Sequence, residues 1–282
     1  MVSVEQSFHQ LFAVLEVPPA RVRLASERCD GVRDLLAKEG VNVGEIFWGG
    51  SFRRGTCVNR LKTVKAHFVL EAKHFYDSRK SSAKLLSFLR NKLAGEQKSA
   101  LTGRDGQVVT VHYETPPDLE LVPSIKLAAG GYLVPNGAGG WFKTNPARQA
   151  ALYHEKEKNS GGKFQNLTKI LKVWNARSGN VFNPYYLELI VYYRVNDYNR
   201  TYAELVNSLF WSMLLFLPEF VSCPAAGEIV SRGSVGEAGE KVKSAHEVTA
   251  RAIKGRDAGE TLLLWRSLLG ESFGRAGEPD WT

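Results

Sequence analysis

The sequence predicts an α/β chain whose first half mixes strands with helices and whose second half is largely helical. Three observations predict it. Strand-length apolar runs bounded by Gly and Pro recur between residues 43 and 144. A single long helical pattern, residues 20–39, precedes them. From Gln149 onward, apolar residues recur at helical spacing almost to the end.

Residues 3–16 read as an amphipathic helix with Val4, Phe8, Leu11, Phe12 and Leu15 on one side, stopped by Pro18-Pro19. In residues 20–39, Val22, Ala25, Cys29, Val32, Leu35 and Leu36 keep helical spacing up to Gly40. Val43–Trp48 is a strand, followed by a Gly49-Gly50 turn, a short helix and a second strand over Lys62–Glu71. Residues 79–94 return to helix on Leu85, Leu86, Leu89 and Leu93. Its Arg79, Lys80, Lys84, Arg90 and Lys92 form either a solvated face or a nucleic-acid-binding strip. Strands follow at Gln107–Tyr113 and Asp118–Pro123, around a Thr115-Pro116-Pro117 turn. Beyond Gln149, residues 201–217 form an apolar helix, 222–239 read as a Gly- and Ala-rich loop, and 240–256 and 259–268 close the chain as helices.

At 282 residues the chain suffices for two lobes with a sizeable core. Hydrophobic content of 44% and charged content of 23% are ordinary for a globular domain. A net charge of +8 favours polyanionic partners without identifying one. Cys29, Cys57 and Cys223 are odd in number and far apart, which supports neither a disulfide framework nor a zinc site. With polar Glu5, Gln6 and His9 early, the N-terminus does not read as a signal peptide, and a cytoplasmic location is expected. The apolar run Leu205–Leu217 is too short and too polar for a bilayer span, so no membrane partner is expected.

The chemistry concentrates at Trp48-Gly49-Gly50-Ser51-Phe52-Arg53-Arg54-Gly55-Thr56. The glycines let backbone approach a ligand closely. Ser51, Arg53, Arg54 and Thr56 add hydroxyls and cations beside exposed N–H groups, an arrangement suited to phosphate. In the following strand Val64, Ala66, Phe68 and Leu70 alternate with Thr63, Lys65, His67 and Val69. One face is therefore core, and the other turns Thr63, Lys65 and His67 toward whatever the glycine turn holds.

This stretch resembles the nucleotidyltransferases of the polymerase-beta superfamily, and within it the bacterial cGAS/DncV-like group (CD-NTases), which make cyclic oligonucleotide signals in antiphage defence. That family's motif is Gly-Ser, roughly ten residues, then Asp-x-Asp on the next strand. Gly50-Ser51 matches, whereas Thr63 and Lys65 stand where the aspartates belong. Further matches are the Gly130-Gly131-Tyr132-Leu133-Val134-Pro135 strand, Trp141-Phe142-Lys143-Thr144-Asn145-Pro146, the Lys172-Val173-Trp174-Asn175 helix, and an ending from Trp265 to Phe273. The resemblance runs from about residue 8 to residue 274.

What it implies is a two-lobed polymerase-beta-like fold, with a mixed sheet and a long spine helix in the N-lobe and a helical C-lobe. The expected divisions are residues 1–148, 149–274 and a mobile tail at 275–282, where a defence-operon partner protein attaches in some relatives. By the same resemblance Lys172 reaches a nucleotide triphosphate; its alternative is a surface lysine on an amphipathic helix. Tyr185 either stacks on a base or packs in the core. Pro184 replaces a family serine that touches phosphate, and has no N–H to donate. Glu120 takes the position of the third metal-binding carboxylate. It is either that ligand, or the base for the attacking hydroxyl, or an acid paired with Lys65 across the sheet. Asp118, two residues earlier, is expected on the same face.

The superfamily's phosphoryl transfer uses two divalent metals held by three carboxylates. Lys65 opposes that. At ~4 Å and an effective dielectric of ~20, a +1 group beside a +2 ion costs about 8 kcal/mol. The sequence thus favours a pseudo-nucleotidyltransferase that binds a nucleotide, a cyclic oligonucleotide or RNA through Gly50, Ser51, Arg53, Lys65 and Lys172, with no metal and no cofactor. An active cyclic-oligonucleotide synthase using NTPs and Mg²⁺, with Asp118 and Glu120 as ligands, is the second reading. A non-catalytic subunit of a defence complex is the third.

Overall fold

The computed structural model describes residues 3–59, 62–74, 80–94, 100–102, 106–224, 229–233 and 237–274. The expected tail at 275–282 and Arg79 of the basic helix lie outside them. The chain divides into two compact units, residues 17–150 and residues 1–16 with 151–282. The first helix therefore groups with the C-terminal helices, where the sequence reading had set it with the N-terminal lobe.

The unit of residues 17–150 is built on a seven-stranded mixed sheet. Its elements are α2 (Pro19–Lys38), β1 (Val43–Trp48), α3 (Gly50–Arg53), β2 (Thr63–Leu70), α4 (Ser82–Ala94), β3 (Ala100–Thr102), β4 (Val109–Val111), β5 (Asp118–Lys126), β6 (Tyr132–Pro135) and β7 (Trp141–Thr144). Strand order is β1-β2-β5-β4-β3, with β6 joining β5 to β7. The two central strands, β2 and β5, run parallel, in a register that sets Thr63 opposite Asp118, Lys65 opposite Glu120 and His67 opposite Val122. Every other pairing is antiparallel. A parallel pair needs a long crossover, supplied here by α4 with β3 and β4. Pro123 falls in the gap between the pairing of β4, which ends at Leu121, and that of β6, which begins at Ile125. A central strand accepts proline only where its ladder is interrupted.

One sheet face is core. Ala66, Phe68 and Leu70 of β2, Leu119, Leu121 and Ile125 of β5, and Val109 and Val111 of β4 pack on Cys29, Val32 and Leu36 of α2 and Leu85, Leu86, Leu89 and Leu93 of α4. The period-2 alternation of the strands meets the 3.6 period of the two helices there. The opposite face carries the polar members of the alternation.

The second unit is helical. Its α1 (Val4–Leu15) starts at a capping box in which Ser3 and Gln6 satisfy each other's backbone N–H. It continues with α5 (Pro146–Asn159), which spans the unit boundary, α6 (Lys163–Arg177), α7 (Pro184–Arg194), α8 (Tyr202–Leu215), α9 (Ala238–Lys254) and α10 (Ala258–Leu269). Phe8 of α1 anchors a cluster with Tyr202, Trp265 and Phe273, at ring separations of 5.0 to 5.8 Å. Those long-range contacts explain why residues 1–16 belong with this unit. β8 (Phe220–Ser222) pairs antiparallel with β9 (Ile229–Ser231), and β9 falls inside residues 222–239, read from sequence as loop. Pro184, which displaces the family serine, occupies the first turn of α7 behind an Asn183 N-cap that binds the Tyr185 N–H. Proline is preorganised for that position.

Leu121 is fully buried at the centre of the sheet. Leu121→Ala is expected to cost about 2–5 kcal/mol, read as a lowered urea midpoint with unchanged m-value.

Candidate functional site

The polar sheet face is organised by one close approach. β1 ends at Trp48, and the Gly49 N–H donates to the Lys65 carbonyl at 2.8 Å. The turn is thereby held against β2. A Cβ on Gly49 would lie 2.8 Å from both Cδ2 and Nε2 of His67 and 3.4 Å from Cγ of Lys65. Gly50 adopts φ +58°, in the left-handed region that favours glycine. The glycines are thus required by backbone geometry and by the ring beneath them, independently of any ligand.

His67 is buried, and its ring stacks on Phe47 at 4.7 Å and 9°. Its Nδ1 lies 2.8 Å from Ser124 Oγ, and that hydroxyl in turn donates to the Val122 carbonyl. One hydroxyl has one proton, so the ring nitrogen is the donor, which assigns the Nδ1–H tautomer. Burial first, then the charges of Lys65 and Arg53, push the His67 pKa down to about 3. His67 is therefore neutral at physiological pH. The Arg53 guanidinium lies 5.0 Å over the Phe47 ring and donates to the Trp48 carbonyl at 3.4 Å. Tyr132 closes the layer 4.9 Å from Phe47.

Lys65 and Glu120 sit opposite each other on the parallel pair, with Nζ 3.7 Å from Oε2. Both are partly exposed. Of the three roles weighed for Glu120, the geometry realises the ion pair. Asp118 does not join it. One of its oxygens accepts the Tyr113 N–H at 3.0 Å and the other lies 2.7 Å from Nδ1 of His112. Asp118 thus closes the 113–118 turn, which Arg28 also clamps through Thr115, the Pro117 carbonyl and the Tyr113 ring. The expectation that Asp118 shares the site face holds for its backbone register, but its carboxylate is spent on the turn.

The donor set can be tested against a two-metal centre. Thr63 offers one neutral hydroxyl, Lys65 a cation, Asp118 an engaged carboxylate and Glu120 a carboxylate already facing an ammonium. Among the described residues no group of three or more His, Cys, Asp or Glu side chains is arranged to hold a metal ion. The residues present do not fit a pair of hard divalent cations, which require several oxygen ligands in tight geometry.

Lys172 and Tyr185 lie in the helical unit. Lys172, on α6, is nearly buried, and its Nζ donates to Oε1 of fully buried Glu188 on α7 at 2.6 Å. The Tyr185 hydroxyl donates to Cys223 Sγ at 3.1 Å. The neighbouring motif residues have structural work: Asn175 exchanges two 2.9 Å bonds with the backbone of Phe182, and Trp174 packs on Phe210 at 4.8 Å. Sequence reasoning missed Phe47, Ser124 and His112, named Tyr132 only within a family motif, and missed Glu188 as the partner of Lys172. Phe47 stands directly opposite His67 in the β1–β2 register, and no local signal in the sequence points to that stack. Glu188 was visible in the Tyr-Tyr-Leu-Glu run, yet nothing in the spacing points it at Lys172 sixteen residues earlier.

The family model for the Second Messenger Oligonucleotide or Dinucleotide Synthetase domain (SMODS) matches residues 2–158. The chain belongs to that family. It is a cGAS/DncV-like CD-NTase by descent, with a two-lobed α/β fold. A curated relative, the cyclic AMP-AMP-AMP synthase of Acinetobacter sp. (strain ATCC 27244 / 9458), is 28% identical over 176 residues, 56% of this chain and 51% of that one. The match spans about half the length of that relative. Among solved structures, Escherichia coli MS115-1 CdnC in its HORMA-deltaN complex superposes with a TM-score of 0.74 at 14% identity, covering 94% of this chain and 97% of that chain. Bradyrhizobium diazoefficiens CdnG in complex with GTP gives 0.73 at 12%, covering 96% of each. Vibrio cholerae DncV cyclic AMP-GMP synthase gives 0.65 at 11%, covering 83% and 70%. At these identities the likeness is one of fold. Among the described residues no helix of this SMODS chain is long and apolar enough to cross a membrane.

Two outcomes follow from the turn. Gly49→Ala drives a methyl into the His67 ring and is expected to cost about 1–3 kcal/mol, with His67→Ala in the same background recovering part of the loss in urea melts. Because the His67 pKa is depressed in the folded state, the unfolded chain binds more protons between about pH 6.5 and pH 3. Stability should therefore fall with pH across that window, by up to about 1.4 kcal/mol per unit, and His67→Gln should flatten the profile there.

Proposed function

We propose that this SMODS chain is a pseudo-nucleotidyltransferase, which binds a nucleotide, a cyclic oligonucleotide or RNA and does not polymerise NTPs through metal ions. The observation that carries this reading is the Lys65–Glu120 pair at 3.7 Å, on the two strands where the family holds its metal-binding carboxylates. Lys65 gives a phosphate an ammonium in place of a magnesium ion. Gly49 and Gly50 keep the backbone beside it clear of side chains. Arg53 adds a second cation near His67, and Ser51 a hydroxyl. In the helical unit, Lys172 is the motif's phosphate contact and Tyr185 its base contact. The proposed lobes keep the sequence division near residue 149, with the first helix moved to the C-terminal lobe.

The wider setting is part of the same proposal. CdnG has been solved with GTP and CdnC with ATP, which supports a nucleotide ligand for a chain of this fold. CdnC has also been solved with HORMA-deltaN, which supports a protein partner for a chain of this fold; the family resemblance is what suggests antiphage defence and a cytoplasmic location. The active-synthase reading draws on the cyclic AMP-AMP-AMP synthase relative and is the alternative the experiment decides.

Calorimetry in EDTA with NTPs, NMPs, cyclic dinucleotides and short RNA should detect binding of at least one member. Lys65→Met should weaken it by about tenfold, the loss of one charge-assisted contact worth about 1.4 kcal/mol. Radiolabelled NTPs incubated with Mg²⁺ or Mn²⁺ should give no product on thin-layer chromatography. Product formation, or binding that requires Mg²⁺, overturns the reading in favour of a working synthase.

A further inference from the structure

Resting on the reading just given, we propose that the sheet face selects phosphodiester-linked ligands over nucleoside triphosphates, and that Glu120 is the residue that makes the selection. The argument is one of charge. Cations on this face among the described residues include Lys65 and Arg53, the two that act on His67, and Lys126, which strand alternation sets on the Glu120 side of β5 opposite Tyr132. Against them stands Glu120, with Oε2 3.7 Å from the Lys65 ammonium. The Asp118 carboxylate faces His112 and the Tyr113 N–H, and Glu45 lies 3.4 Å from the Tyr132 hydroxyl. The face is close to neutral once its carboxylates are counted, despite the basic charge of the whole chain.

A phosphate seated on Lys65 at hydrogen-bond distance lies within about 7 Å of the Glu120 carboxylate, by adding the two contacts. Every negative charge it brings is repelled by that carboxylate. A triphosphate brings several on contiguous phosphoryl groups and relies on a divalent cation to balance them. The donor set beside Lys65 does not fit that cation. A phosphodiester brings one charge per link, which a single ammonium meets. In the helical unit Lys172, the lysine that the family's motif assigns to the triphosphate, faces the buried Glu188 carboxylate at 2.6 Å, so its charge is already met by an internal acid.

The test uses the full chain in EDTA, with ATP, linear adenylyl-(3′→5′)-adenosine and cyclic di-adenylate as titrants. The expected result is that at least one of the two phosphodiesters binds ten or more times tighter than ATP. Binding of the linear compound alone marks an open-chain ligand and binding of the cyclic compound alone a ring. Glu120→Gln removes the charge at constant shape and should strengthen ATP about tenfold while moving the phosphodiester less than threefold. Glu120→Asp, which keeps the charge, should retain the original preference and so separates charge from packing. ATP binding as tightly as the phosphodiesters, or an unchanged ratio in a folded Glu120→Gln protein, overturns the proposal and leaves metal-free nucleotide binding standing. Failure of all three titrants to bind overturns the proposal, and failure of the whole nucleotide and RNA panel overturns the reading on which it rests.

Discussion

The polar face depends on the packing of a glycine turn onto an imidazole. The Gly49 N–H reaches the Lys65 carbonyl, and the His67 ring fills the space where a Cβ would stand. Ser124 holds the ring from the neighbouring strand and Phe47 covers it. Burial keeps it uncharged. If that ring carried a proton, a third cation would sit beside Lys65 and Arg53 in a place water cannot screen. Its neutrality lets two positive side chains coexist on so small a surface, and Glu120 offsets the remainder.

Much of this was legible in the amino-acid order. The alternation of Val64, Ala66 and Phe68 with Thr63, Lys65 and His67 gave the two faces of β2, and the buried set proves to be that on α2 and α4. Gly50-Ser51 and the missing aspartates could be read by inspection. The pairing of Lys65 with Glu120 could be named as one alternative but not chosen, since the choice needs the parallel register of β2 and β5 across an intervening crossover. The face of Asp118 could be read from the period of the strand, which reports where a Cβ points. It does not report that an adjacent turn offers a backbone N–H to cap.

Two other departures have the same origin. β9 falls inside residues 222–239, read as loop because a three-residue strand is too short for alternation to register. The first helix was assigned to the lobe that follows it in sequence. Its partners, Tyr202, Trp265 and Phe273, lie about two hundred residues away or more, and no local pattern reports such a contact. Pro184 is the reverse case. It reads as the loss of a phosphate-binding hydroxyl, and it is also a good first-turn residue behind an Asn183 cap.

The 113–118 turn has a bearing on what a metal site on this face would require. Asp118 is held by a backbone N–H, by His112 and, through the same turn, by the Arg28 clamp. Converting Lys65 back to an acid would leave that anchor in place, so the strand would still present fewer ligands than a bimetallic centre demands. A bimetallic centre here would call for several coupled positions to change at once, each of little use before the others.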